Sequence, residues 1–175
     1  MNQEREKLKK IAKFLKVSFE EFKKGFSDCF EDQENILNIY ENINLPKRAT
    51  VGSAGYDFYL PCDLKLQPGE TVKIPTGIRV RIDEGWVLKL YPRSGLGFKF
   101  RLQLNNTVGI IDSDYFNSDN EGHIFAKITN DSNEEKTLEL KQGDAFMQGI
   151  FVEFGIVEDD DAEGVRNGGF GSTSK

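Results

Sequence analysis

The sequence predicts a mainly β protein, a sandwich or barrel of short strands, preceded by a short helical extension. Three observations carry that reading. From Leu45 onward, short runs of alternating apolar and polar residues recur, broken by Gly, Pro and Asx turns. These runs follow one another without the long helical periods that a βαβ unit would insert between them. Ahead of Leu45 the apolar period is helical instead. A chain of 175 residues suits one ordinary domain and is too short for two large ones.

In EREKLKKIAKFL, Leu8, Ile11, Ala12 and Leu15 repeat with helical period and charges fill the other face, which predicts a first helix. VSFEEF then opens a second. Ser18 and Glu21 have capping-box spacing, and Val17 and Phe22 occupy the two positions of a hydrophobic staple. This helix is expected from Phe19 to between Gly25 and Phe30. The acidic stretch FEDQENILNIYENIN leads out of the helices. Beyond it, TVKIPTGIRVRI alternates and places Val72, Ile74, Ile78, Val80 and Ile82 on one parity, the pattern of strand with one buried face. GWVLKLYP, HIFAKITN, KTLELKQG and AFMQGIFVEF read as further strands. VEDDDAEG is a solvated linker to a Gly-rich tail.

Charge narrows the function classes. Twenty-three basic residues against 29 acidic ones give a net charge of −6, which argues against a general nucleic-acid or anionic-membrane binder. A small anionic ligand in a local pocket stays open, especially with a divalent cation beside it. Cys29 and Cys62 make no metal-binding spacing and read as free thiols of a reducing compartment. One histidine cannot build a His-based zinc site. The first residues lack the apolar core of a signal peptide, and no apolar run reaches spanning length, so a cytoplasmic protein is expected.

Five stretches carry more chemistry than strands and turns require. In GSAGYDFYLP, Asp57 is the one acid within an apolar run, a residue that could also end a strand in an Asx turn. In YPRSGLGFKF, Arg93, Ser94 and Gly95 offer a guanidinium, a hydroxyl and accessible amides, a set that suits phosphate oxygens but also makes a surface turn. In NNTVGIIDSDYFN, Asp112 follows an apolar run, and a carboxylate at a rigid strand end can orient and deprotonate a water. A plain hairpin turn explains that stretch equally well. In KQGDAFMQGIF, Lys141–Asp144 makes a turn, and Gln148 is a polar side chain in an apolar strand that needs a partner. VRNGGFGSTSK closes the chain with too much glycine for a core element; it is either a frayed end or a lid over a ligand.

In this order, AGYD, PRSGLG, NTVGIIDSDY, GDAFMQ and RNGGFGST resemble the five motifs of the trimeric dUTP pyrophosphatases (dUTPases), over roughly residues 45 to 174. The third and fifth motifs are the specific ones. The resemblance implies a distorted jelly-roll, or β-clip barrel, that forms a homotrimer with active sites between subunits. It divides the chain into a helical extension (1–44), a β domain (45–164) and a C-terminal lid (165–175). It implies hydrolysis of dUTP to dUMP and pyrophosphate with Mg2+, which Asp57 would serve indirectly, through water. Arg93, Ser94 and Gly95 would hold phosphates, with Gln148 assisting. The hairpin from Asn106 through Gly109 to Tyr115 would read uracil. Tyr115 would press on the deoxyribose and exclude a 2′-hydroxyl. Asp112 would orient the attacking water. From a third subunit, Arg166 would pair with phosphate, Phe170 and Gly171 would close over the uracil, and Ser172 and Thr173 would touch the γ-phosphate.

The sequence departs from that pattern twice. DYFNSDNEGHIF lengthens the hairpin after Tyr115, and His123 beyond it is expected at the surface. The helical extension has no counterpart in the common form of the family, and a protein partner is one role for it. Its helix pair vaguely resembles a helix-turn-helix, but the net charge makes DNA binding a minor reading. A deaminase on the same scaffold would need a catalytic glutamate in the hairpin, where IIDSDY has none. A regulatory binding protein on the same scaffold, docking through its N-terminal helices, is the reading from a different class.

Overall fold

The structure, a computed structural model, describes residues 8–31, 34–164 and 166. The chain begins with β1 (Ala12–Lys16), α1 (Phe19–Ser27) and α2 (Ile36–Glu41). It continues through β2 (Lys47–Arg48), β3 (Tyr56–Tyr59), β4 (Leu64–Leu66), β5 (Thr71–Pro75), β6 (Ile78–Ile82) and β7 (Trp86–Pro92). After α3 (Ser94–Phe100) come β8 (Leu102–Leu104), β9 (Gly109–Ile111), a 3-10 helix (Ser113–Asn117), β10 (Phe125–Asn130), β11 (Leu138–Leu140) and β12 (Ala145–Glu153). The strands pair antiparallel in four sheets: β2-β3-β12-β7-β9, β5-β10-β8, β11-β4 and β1-β6. The expected mainly β jelly-roll is therefore found, without a closed barrel among the described residues.

The single-parity run from Val72 to Ile82 splits into β5 and β6 around Thr76 and Gly77, with Gly77 at φ +71°. Ile74, Ile78, Val80 and Ile82 are all buried, as alternation demands. On β12 the register against β3 skips Phe146, and this bulge lets Phe146 and Met147, neighbours in sequence, both be fully buried.

Among the described residues the first expected helix is absent. Residues 8–11 have no regular structure, and Ala12–Lys16 is a strand paired with β6, from Ala12 opposite Ile82 to Lys16 opposite Ile78. A short helix standing alone is marginal in water. Pairing instead satisfies the backbone groups of β6 that an open edge would expose. It also seats Phe14 edge-on against Phe58, with ring centroids 5.6 Å apart.

The second expected helix is α1. Ser18 caps it, its Oγ accepting from the Glu21 amide at 3.2 Å. The capping box is completed by a different glutamate: the Ser18 amide donates to Glu121, not to Glu21. Val17 and Phe22, the two staple residues, are buried. The acidic stretch also contains α2, whose C-terminal carbonyls of Tyr40 and Glu41 accept from Lys16 Nζ at 2.9 Å each. Val17, Phe22, Phe26, Ile36 and Ile43 belong to the same apolar cluster as Phe58, Leu88 and Ile128 of the sheets. The N-terminal segment thus completes the core of the β domain. Phe22 alone, fully buried, contributes about 2–3 kcal/mol by transfer from water.

Candidate active site

The stretch from Asn106 to Tyr115 is not a hairpin. β8 pairs with β10 and β9 pairs with β7, so residues 105–108 carry the chain from one sheet to another. Thr107 takes φ +65° in that crossing, and the Thr107 amide closes a turn on the Leu104 carbonyl at 2.8 Å. Asn106 is exposed there. Gly109 opens β9 where a Cβ would lie 3.0 Å from Leu90 Cβ, so the close approach of β9 to β7 needs glycine.

Asp112 stands between the rigid end of β9 and the 3-10 helix. Its carboxylate is half exposed and receives Arg166 Nη2 at 2.6 Å, while Arg166 Nε reaches Asp114 Oδ1 at 2.8 Å. One guanidinium therefore bridges two carboxylates of its own chain. Tyr115, next in line, is buried. Its hydroxyl donates to the His123 carbonyl at 2.7 Å and accepts from Asn120 Nδ2 at 2.8 Å. Burial, the largest influence, raises its pKa and keeps the phenol neutral.

A second group gathers where β3 and β12 meet the end of β7. Asp57 on β3 pairs in register with Gln148 on β12, and its carboxylate meets Arg93 Nε at 3.2 Å. The Asp57 side chain is 17% exposed, which gives that ion pair more weight than the surface pairs elsewhere. Gln148 Nε2 donates to the Pro92 carbonyl at 3.3 Å. Its Oε1 would lie 2.6 Å from a Cβ at Gly55, so Gly55 makes room for the amide. Ser94 and Gly95 occupy the first turn of α3, a helix where a surface turn was the plain alternative.

The register of β9 on β7 fixes how these two groups relate. Ile111 lies opposite Leu88, so Asp112 stands level with Val87. Arg93 lies six residues further along, roughly 20 Å at strand rise. Asp57, Arg93 and Gln148 thus sit at one end of β7, and Asp112, Asp114, Tyr115 and Arg166 at the other. Of the remaining expected site residues, Phe170, Gly171, Ser172 and Thr173 lie outside the described residues.

His123 is a correction. It is fully buried, its ring within 4.3 Å of the Phe125 ring centroid. Its Nε2 accepts the Gly77 amide at 2.9 Å and its Nδ1 faces Glu21 Oε1 at 3.4 Å. Burial pushes its pKa down to about 3, so the ring is neutral and Nδ1 carries the proton toward Glu21. Nothing in the sequence around His123 announces a partner on α1, and Asn120 and Arg79 escape sequence reasoning for the same reason.

Among the described residues no cluster of three His, Cys, Asp or Glu side chains could cage a metal. A Mg2+ ion that arrives with phosphates commonly keeps several waters and needs only one or two carboxylates from a protein. No described helix is long and apolar enough to cross a membrane.

A sequence model of dUTPase matches residues 41–174. The chain belongs to the dUTPase family. As a member it is classed with the dUTP diphosphatases, enzymes of the nucleotide pyrophosphohydrolase type. It is similar to the deoxyuridine 5′-triphosphate nucleotidohydrolase of Lactococcus lactis, at 42% identity over 143 residues, covering 79% of this chain and 94% of that one. The enzyme of the same name from Chromobacterium violaceum is 42% identical over 146 residues, covering 80% and 94%. Among solved structures, the dUTPase of Streptococcus mutans superposes with a TM-score of 0.62 at 35% identity, over 83% of this chain and 98% of that one. A dUTPase mutant from phage phi11 of S. aureus gives 0.62 at 22% identity, over 89% and 98%. That protein is described as coordinating a structural Mg(II) ion, and at this identity the likeness speaks for the fold alone.

Proposed function

We infer that this dUTPase-family chain hydrolyses dUTP to dUMP and pyrophosphate by attack of water on the α-phosphorus. The observation that carries the reading is the placement of Asp112: a half-exposed carboxylate fixed at the end of a strand, with Tyr115 buried three residues on in the 3-10 helix. A carboxylate so placed can orient a water and take its proton. Phosphoryl transfer otherwise asks for positioning and charge neutralisation. Arg93, Ser94 and Gly95 supply them for the phosphates, with Gln148 beside them. Asn106 and the backbone through Gly109 read uracil, and a cytosine there would leave donors and acceptors unpaired. The Tyr115 ring lies against the deoxyribose. Arg166 leaves Asp112 and Asp114 for a phosphate when Phe170, Gly171, Ser172 and Thr173 close over the nucleotide.

Mg2+ bound with the triphosphate would neutralise and shape it, with Asp57 reaching the ion through water. The roughly 20 Å between Asp112 and Arg93 supports sites shared between subunits, as in the homotrimer the resemblance implies, because a nucleotide that touches both groups then needs a second chain.

Pyrophosphate release from dUTP, dCTP, dTTP and UTP, each with magnesium and with chelator, tests this. Magnesium-dependent release from dUTP alone is expected. Asp112→Asn should lower turnover by about a thousandfold while dUTP still binds. Lost binding would make the role of Asp112 structural. Release from none of the four would leave a binding protein on a dUTPase scaffold.

A further inference from the structure

We propose that residues 118–123 and helix α1 form a brace that fixes Tyr115, which makes Asn120 and Ser18 positioning residues for the rejection of ribose. The proposal rests on the reading of Tyr115 as the sugar contact. It gives the N-terminal segment a part in the reaction.

The brace begins at the phenol. Asn120 Nδ2 donates to the Tyr115 hydroxyl at 2.8 Å, and that hydroxyl donates to the His123 carbonyl at 2.7 Å. The tyrosine is thus held by both arms of one tight loop. Asn120 Oδ1 in turn accepts from the Gly122 amide at 3.2 Å and lies 2.9 Å from Ser118 Oγ, which also reaches the Tyr115 carbonyl at 2.6 Å. The loop packs directly on the 3-10 helix: a Cβ at Gly122 would come within 2.7 Å of the Tyr115 carbonyl oxygen.

Such a loop does not hold this shape by itself. Glu121 adopts φ +57° beside Gly122 at +72°, a left-handed pair that costs a non-glycine residue on the order of 1 kcal/mol. Helix α1 supplies the restraint. The Ser18 amide donates to Glu121 Oε2 at 2.8 Å and Ser18 Oγ to Oε1 at 2.5 Å, so the cap of α1 grips the carboxylate with both its groups. At the end of the loop, the buried His123 ring is tied to the Gly77 amide and faces Glu21 of α1. Arg79, 3.9 Å from the same Glu121 carboxylate, donates from Nη2 to the Phe116 carbonyl at 2.6 Å, and its guanidinium stacks on the Phe116 ring at 3.7 Å. A ring anchored at its hydroxyl and through its backbone can exclude a single extra hydroxyl; a ring free to yield cannot.

The test compares kcat/KM for dUTP and UTP in the full-length protein. Wild type should prefer dUTP, and Tyr115→Ala should erase most of that preference; if either fails, the sugar-contact reading itself is wrong and the brace falls with it. If both hold, Asn120→Ala should lower the dUTP/UTP ratio by about tenfold, and Ser18→Ala should lower it severalfold in the same direction. Ser18→Thr, which keeps the hydroxyl, should restore it. A purely structural role predicts lower melting temperatures with the ratio unchanged, and that result overturns the proposal. Should Asn120→Ala not fold, Ser18→Ala and its threonine counterpart decide alone.

Discussion

His123 shows how one side chain ties distant parts of the chain together and sets a pH limit. Its ring is fully buried between α1 and β10, accepts the Gly77 amide, and has its pKa pushed down by burial to about 3. The unfolded chain would bind a proton on this imidazole near pH 6.5, whereas the folded chain refuses it until about pH 3. Unfolding therefore takes up a proton across that window, and stability present above pH 6.5 is lost as pH falls, by about 1.4 kcal/mol per pH unit at most. Glu21, raised above the usual carboxylate range chiefly by burial, moves the other way and offsets part of the loss near its own titration. His123→Gln retains an acceptor for Gly77 and has no charge to gain. Urea unfolding at fixed protein concentration, from pH 7 to pH 4, should show a shallower decline for this variant than for wild type. Parallel declines would mean that the histidine is not shielded from water.

At the scale of elements, the turn between β5 and β6 couples the sheets to the N-terminal segment. Gly77 has φ +71°, and a Cβ there would collide with Ile43 and lie 3.1 Å from Phe22. Gly69 has φ +85° with nothing within 4 Å of the same position. Gly69→Ala should cost about 1 kcal/mol through backbone strain alone. Gly77→Ala should cost about 2–4 kcal/mol, because overlap with the core adds to the strain. Equal losses in thermal or urea melts would show that the segment before Leu45 yields easily. The alternation of this stretch was legible in the sequence as one run from Val72 to Ile82, but its division at Thr76 and Gly77 into two strands with different partners was not. β1 was not legible: its partner β6 lies more than 60 residues away, and the spacing of Leu8, Ile11, Ala12 and Leu15 fits a helix on local grounds. The crossing from β8 to β9 was misread as a hairpin for a related reason, since Thr107 and the turn on Leu104 look alike whether the next strand pairs back or changes sheet.

Over the whole molecule, the candidate site was legible as a set of motifs but not as a place. Asp57, Arg93 and Gln148 could be picked out one by one, and the structure joins them at one end of β7. Asp112 and Tyr115 were equally visible, yet only the register of β9 on β7 puts them at the other end. Sequence order carries no information about which chain a motif serves. Roughly 20 Å of strand bears on it, because with the proposed roles neither group could reach across that span to the other's phosphate or water. This separation leads to a test that one chain alone could not pass. Asp112→Asn removes one end and Arg93→Ala the other, and each variant alone should be nearly inactive. Co-folded, subunits of the two kinds would form mixed oligomers in which some sites draw Asp112 from one chain and Arg93 from its neighbour, both intact. Pyrophosphate release from dUTP should then rise well above that of either parent and above an unmixed blend of the two. If each chain built its site from its own residues, every site would carry one defect, and co-folding would restore nothing.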